Sequence, residues 1–167
     1  MHCIDVIIET PKGSTQKYDF DPEFHLFRMH KIMPVGMAFP YDFGFIPATK
    51  AEDGDPMDIV VISEFQSFPG CIYQCRVIGG IAGEQTEANE KGKQKTFRND
   101  RFIAVPVCSS IFEKVETLKD LPTKLVSELG YFFVNYNQLE GKTFKILAHL
   151  SPGTVIGMIK ENKKKSH

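Results

Sequence analysis

The chain has no stretch approaching the roughly 18 to 20 apolar residues that a membrane-spanning helix needs, so no membrane association is expected. Its amino terminus lacks a charged segment running into a short apolar one, so no secretory signal is read there. It lacks a basic excess: 20 Lys and Arg stand against 21 Asp and Glu, for a formal net charge of −1. Binding to nucleic acid through phosphate neutralisation is therefore not expected. Cysteine is scarce, with only Cys3, Cys71, Cys75 and Cys108. Cys71-x-x-x-Cys75 is half of a zinc pattern, but no second Cys/His pair has matching spacing, and a structural zinc takes about four ligands. The plainer reading is reduced, mostly buried thiols in a cytoplasmic protein. There is no internal repeat and no low-complexity region. What remains is an ordinary soluble composition, 42% hydrophobic and 25% charged. A length of 167 residues argues for a single domain over 1–167.

The first two-thirds reads as short strands. Ile4, Val6 and Ile8 alternate with Asp5 and Ile7 before the breaker Thr10-Pro11-Lys12-Gly13-Ser14. Further extended segments are expected at 17–20, 24–29, 59–62, 73–81, 102–107 and 144–150, with Gly79-Gly80 marking a bulge or turn. One helix is expected over 118–139, where Leu118, Leu121, Leu125, Leu129, Phe132, Tyr136 and Leu139 recur at steps of three and four. Pro122 sits near its start and Gly141 just past its end. A second helix is expected from Ser151-Pro152, running towards the Lys163-Lys164-Lys165 tail, which reads as a solvated terminus. The polar segment 88–99 reads as a loop. Many short strands and one long helix predict an α+β, mainly β domain: a small barrel with helices packed outside.

The residues with most chemical promise are Asp53-Gly54-Asp55-Pro56-Met57-Asp58. Three carboxylates within six residues repel one another unless a cation lies between them. Hard cations such as Mg²⁺ prefer oxygen ligands. Gly54 permits unusual backbone angles and Pro56 stiffens the turn. A calcium EF-hand fits poorly, because that loop needs an oxygen ligand and a glycine where Met57 and Asp58 stand. On composition alone, a solvated Asp-rich turn competes evenly with metal binding. Lys17 and Asp19, two apart on a strand, share a face. Lys17, Lys31 and Arg101 are the cations available to a polyphosphate, although each alone reads more simply as a surface charge. Tyr136 is on the apolar stripe of the helix, and Glu9 closes a strand.

The segment Asp53-Gly54-Asp55-Pro56-Met57-Asp58-Ile59 resembles the signature of the soluble family I inorganic pyrophosphatases at every position. Flanking segments agree in order: Val6-Ile7-Ile8-Glu9-Thr10-Pro11, Lys17-Tyr18-Asp19-Phe20-Asp21, Phe43-Gly44-Phe45-Ile46-Pro47, Ala104-Val105-Pro106 and Phe132-Phe133-Val134-Asn135-Tyr136. The resemblance covers about residues 4–150. It implies a five-stranded OB-like barrel with flanking helices, and hydrolysis of pyrophosphate with several Mg²⁺ ions, Mn²⁺ being a possible substitute. By the same resemblance Asp53, Asp55 and Asp58 are metal ligands, and Asp55 accepts the proton of the attacking water. Glu87 and Asp100 supply further metal ligands. Lys17, Lys31, Arg101 and Tyr136 contact phosphate oxygens, while Glu9 and Asp19 support them. A cytoplasmic homo-oligomer, a hexamer, is implied.

The chain also departs from that pattern. It has Asp19 where the family usually has Glu, and Lys31 where it has Arg, which loses a bidentate phosphate contact. Phe39 and Phe43 stand in place of tyrosines, and Asn137 in place of a lysine. Asn99 stands where the family has an aspartate, with Asp100 next to it as the expected replacement. These losses keep two alternatives open: a non-catalytic pyrophosphate- or nucleotide-binding descendant, and a metal phosphohydrolase for another phosphoanhydride.

Overall fold

Two apolar runs, 59–62 and 102–105, have no polar alternation, the pattern of strands buried on both faces. The structure, a computed structural model, describes residues 3–165, with backbone alone at 164 and 165. The side chains of Lys164 and Lys165, part of the expected solvated tail, lie outside the described residues. Its strands are β1 (Cys3–Thr10), β2 (Gln16–Asp21), β3 (Leu26–Ile32), β4 (Asp42–Ile46), β5 (Met57–Val61), β6 (Ile72–Ala88), β7 (Gln94–Arg98), β8 (Arg101–Pro106) and β9 (Thr143–Leu150). The helices are α1 (Thr123–Leu139) and α2 (Pro152–Lys165).

The two apolar runs become β5 and β8, paired in parallel with Ile59 opposite Phe102. Alternate side chains then part into two cores. Ile59, Val61, Phe102 and Ala104 pack with Val6, Ile8 and Ile46, and α2 adds Val155 and Ile159. Val60, Ile62, Ile103 and Val105 pack with Phe39, Phe43 and Ile78, and α1 adds Val126, Leu129 and Phe133. Strands β1, β4, β5, β8 and β6 follow one another, and β1 pairs back to β6, closing a ring of five. This is the expected mainly β architecture with flanking helices. Strand β9 adds to β6, and β2 with β3 forms a separate two-stranded ribbon. Gly44 is where β1 and β4 come closest: a Cβ there would lie 2.0 Å from the Ile7 carbonyl oxygen. The bulge expected at Gly79 is present, with its φ of 147° in a region that favours glycine.

Several boundaries differ from expectation. The helix expected over 118–139 is broken at Leu121, which is extended (φ −87°, ψ 153°). Leu118–Asp120 forms only a 3-10 turn, and α1 starts after Pro122. The cause is Pro122, whose ring disfavours a helical conformation in the residue before it. The strand expected at 24–29 starts later, at Leu26, because His25 turns the chain with φ 53°. The segment 88–99, expected as a loop, is largely a hairpin: β6 runs on to Ala88 and pairs with β7. Its side chains are mostly exposed, so the polar pattern concealed strands that bury little. Strand β4 escaped the sequence reading because Asp42 and Gly44 interrupt its apolar run, although all five positions are buried.

Candidate active site

The register of β5 against β8 builds the floor of a cleft. With Ile59 opposite Phe102, Asp58 comes beside Arg101, and both share the face that carries Val60 and Ile103 towards α1. Strand β4 places Phe45 opposite Asp58, and β6 places Ile81 opposite Arg101. The cleft above has a volume of about 680 Å³. Asp53 and Asp55 line it from the β4–β5 connection and Asp58 from β5. Lys17 and Asp19 from β2 and Lys31 from β3 line a second side, and Tyr136 of α1 a third. Glu9 enters as the extra residue of a bulge, since β1 slips register against β4 between Ile8 and Thr10. Bulges commonly re-aim a side chain in this way.

The signature loop is held by its own backbone. Gly54 takes φ 97°, and the Asp55 amide donates to Asp53 Oδ1 at 3.1 Å. Asp53 and Asp55 are solvent-exposed, whereas Asp58 is half-buried. Desolvation raises the pKa of Asp58, opposed by the Arg101 guanidinium beside it. Asp55 is also pushed up, first by desolvation and then by Asp53. Lys17 Nζ pairs with Asp19 Oδ1 at 2.7 Å, and His30 Nδ1 lies 3.0 Å from Asp19 Oδ2. Lys31 Nζ pairs with Glu140 Oε2 at 2.7 Å and sits 5.0 Å from the centre of the Tyr136 ring. Burial raises the Tyr136 hydroxyl to about 12, so it remains a hydrogen-bond donor at neutral pH.

Arg101 is the most enclosed charge in the cleft, at 6% exposure. Its Nη1 donates to Asp58 Oδ2 and to Asn99 Oδ1. Its guanidinium carbon lies 5.8, 5.3 and 5.6 Å from the ring centres of Phe43, Phe133 and Phe144. These aromatic faces stabilise a cation whose buried Nε has no hydrogen-bond partner among the described residues. Phe39 and Phe43, the two positions without hydroxyls, are buried and packed in this same aromatic cluster. Asn137 turns back on its helix, donating from Nδ2 to the Phe133 carbonyl at 2.8 Å.

Two further acids expected to hold metal carry ion pairs of their own. Asp100 accepts from Arg98 Nε at 2.6 Å and from the Gly83 amide at 3.0 Å, and lines a neighbouring depression together with Asp53, Asp58 and Asn99. Asn99 lines the cleft and Asp100 does not. Glu87 does not line it either: Lys142 Nζ holds it at 2.8 Å and lowers its pKa. Four polar residues of the cleft, among those described, were missed in the sequence. Gln85 is the one with a legible signal, two and four residues from Gly83 and Ile81 on one strand face. His30, Glu140 and Lys142 carry no local pattern that marks them.

The donor chemistry on the acidic side, carboxylate oxygens on a solvent-open loop, is the kind a hard divalent cation prefers, although among the described residues no three acidic side chains are gathered closely enough to hold an ion as they stand. Glu9 shows the electrostatic cost of leaving that side uncompensated. Burial, with Asp19 and Asp58 nearby, raises its pKa from the ordinary 4.5 to about 7, although the Phe20 amide donates to it at 2.9 Å. Below pH 4.5 the group is protonated whether the chain is folded or not. Between 4.5 and 7 only the folded chain keeps the proton, so stability falls as pH rises through that window. The expected loss is about 2 kcal/mol in metal-free protein, allowing for partial exposure. Glu9→Gln should flatten this dependence. Urea titrations of both proteins at pH 5 and pH 8 in chelator measure it, and parallel slopes with pH would refute it.

The family model described as inorganic pyrophosphatase matches residues 6–166. The inorganic pyrophosphatase of Synechocystis is 34% identical over 158 residues, covering 95% of this chain and 88% of that protein. That of Geobacillus stearothermophilus is also 34% identical, over 95% of this chain and 90% of its own. The crystal structure of inorganic pyrophosphatase from Thermus thermophilus superposes with a TM-score of 0.87 at 28% identity, covering 98% of this chain and 91% of that one. The Coxiella burnetii inorganic pyrophosphatase structure superposes with a TM-score of 0.86 at 29% identity, over 99% and 95%.

Proposed function

The chain belongs to the inorganic pyrophosphatase family and is a hydrolase of pyrophosphate, and from that premise we propose that the phosphoanhydride is cleaved in the cleft between α1 and the loop carrying Asp53 and Asp55. The observation that carries this reading is convergence. Asp53, Asp55 and Asp58 meet Lys17, Lys31 and Arg101 in one cleft, although these groups are far apart in the chain.

Pyrophosphate brings a dense negative charge that no apolar pocket accepts, and the two kinds of wall divide the work of holding it. Asp53, Asp55 and Asp58 are the proposed cation ligands. A divalent cation, when bound there, supplies Lewis-acid charge and eases deprotonation of a water. Lys17, Lys31, Arg101 and the Tyr136 hydroxyl contact phosphoryl oxygens and stabilise the charge that grows on the leaving phosphate. Water oxygen forms a bond to one phosphorus as the bridging P–O bond breaks, and two phosphates leave. Asp55 accepts the proton released by the water, a role suited to a solvent-open carboxylate whose pKa is raised. Glu9 holds ordered water, and Asp19 positions Lys17 through their 2.7 Å contact. Glu87 and Asp100 are left out of the proposed ligand set, because neither lines the cleft and Asp100 also accepts the Gly83 amide.

Mg²⁺ is the proposed metal, with Mn²⁺ as a substitute, on the strength of an all-oxygen donor set. Among the described residues no helix is long and apolar enough to cross a membrane. Four unpaired cysteines support a reducing, cytoplasmic setting. Exposed Val35, Phe68, Ile72 and Ile111 support a homo-oligomer, proposed as a hexamer and measurable by light scattering. Purified protein with Mg²⁺ should release two phosphates per pyrophosphate between pH 6 and 9, and chelation should abolish release. No phosphate under any of these conditions would refute the proposed activity.

A further inference from the structure

The cleft wall facing Asp58 differs in kind from the acidic loop. It presents Gln85, Asn99 and Arg101, two amides and a guanidinium. We propose that this wall takes no divalent cation, and that the Arg101 guanidinium is the fixed positive charge on that side of bound pyrophosphate. The inference rests on the pyrophosphatase reading and narrows where its metal ions sit.

The side-chain hydrogen bonds run in one direction along the wall. Arg101 donates to Asn99 Oδ1, Asn99 Nδ2 donates to Gln85 Oε1 at 2.8 Å, and Gln85 Nε2 donates to Glu87 Oε2 at 2.9 Å. Both amide oxygens, the only ligand atoms Gln85 and Asn99 offer to a hard cation, already accept hydrogen bonds. They are neutral, whereas such a cation is held best by anions. The two acids nearest the wall are spent on Lys142 and Arg98. Arg101 remains charged at any working pH and is enclosed by three aromatic rings. An ion on this wall would lie against that permanent charge, in a setting where water screens it poorly. Asp58 Oδ2 already answers the guanidinium, and among the described residues Asp58 Oδ1 has no hydrogen-bond partner and is left for the acidic side.

Two measurements on the full chain decide the matter. Crystals with Mn²⁺ and methylenediphosphonate, a pyrophosphate analogue that resists hydrolysis, locate the ions by anomalous scattering at the manganese edge. Peaks are expected beside Asp53 and Asp55, and none coordinated by Asn99 or Gln85. A peak ligated by either amide overturns the proposal while leaving the pyrophosphatase reading intact. In solution, Asn99→Ala and Gln85→Ala should bind as many Mn²⁺ per chain as the unmodified protein by equilibrium dialysis. Loss of one ion in either variant overturns the proposal. Arg101→Met should weaken methylenediphosphonate binding at least about tenfold, and unchanged affinity overturns the role given to its charge. Protein that binds no Mn²⁺ and releases no phosphate fails the pyrophosphatase reading itself, and the present inference with it.

Discussion

Asp55→Asn is expected to lower the turnover of pyrophosphate by at least about 100-fold, the usual contribution of a positioned proton acceptor. The substitution keeps size and shape but removes the ability to take a proton. It should leave the fold untouched, because the loop does not depend on the Asp55 side chain. Its conformation rests on Gly54 at φ 97° and on Asp53 Oδ1 accepting the residue-55 amide, and both survive. The side chain is exposed, so no packing is lost. The expected result is a variant that melts within a degree or two of the unmodified chain and still binds methylenediphosphonate. Continuous phosphate-release assays, paired with thermal melts, separate the two effects. Undiminished turnover would remove Asp55 from its assigned role.

Arg101→Met is expected to cost both stability and activity. Arg101 is buried, and its Nη1 meets the Asp58 carboxylate directly. Removing one partner of such a pair strands the other charge away from water, at a cost of about 3 kcal/mol or more. For a chain of this size that is about 10 °C in melting temperature. The companion Asp58→Asn/Arg101→Met double variant should recover much of that loss, because no unpaired charge is left behind. It should not recover activity, since a phosphate-facing cation and a carboxylate are both gone. Thermal melts in chelator give the stability half, and phosphate release gives the other. A single variant as stable as the unmodified chain would show that the pair does not hold this part of the fold together. A double variant that regains turnover would show that the contact serves stability alone.

The parts of the site that could be read from the chain were those written locally. Asp53, Asp55 and Asp58 fall within six residues, and their mutual repulsion is a property of that segment whatever surrounds it. The apolar run at 59–62 announced a buried strand and 102–107 a further strand, and strands buried on both faces imply layers on either side. The stripe over 125–139 announced α1 for the same reason, because helical spacing brings those residues to one face. Where a local rule competed, the reading failed. The stripe also included Leu118 and Leu121, but Pro122 acts on the backbone before it and overrode the periodicity. The hairpin of β6 and β7 was invisible because strands that protrude into solvent need no apolar alternation.

The chain alone was thus sufficient for the acidic loop and the mainly β fold, which depend on residue types and short spacings, while the kind of substrate came from the resemblance of the segment 53–59 to a known family. The division of labour around that loop came only with the assembled molecule. Asn99 and Asp100 are neighbours, and nothing in their order says which one reaches the cleft. The turn between β7 and β8 says it: Asn99 donates from Nδ2 to Gln85 Oε1 in the cleft, while Asp100 accepts the Gly83 amide outside it. Likewise Glu87 is an acid of the right type near the right segment, but Lys142, 55 residues further along, reaches it first. Which cation a carboxylate meets is a distance through space, and residue order does not give it.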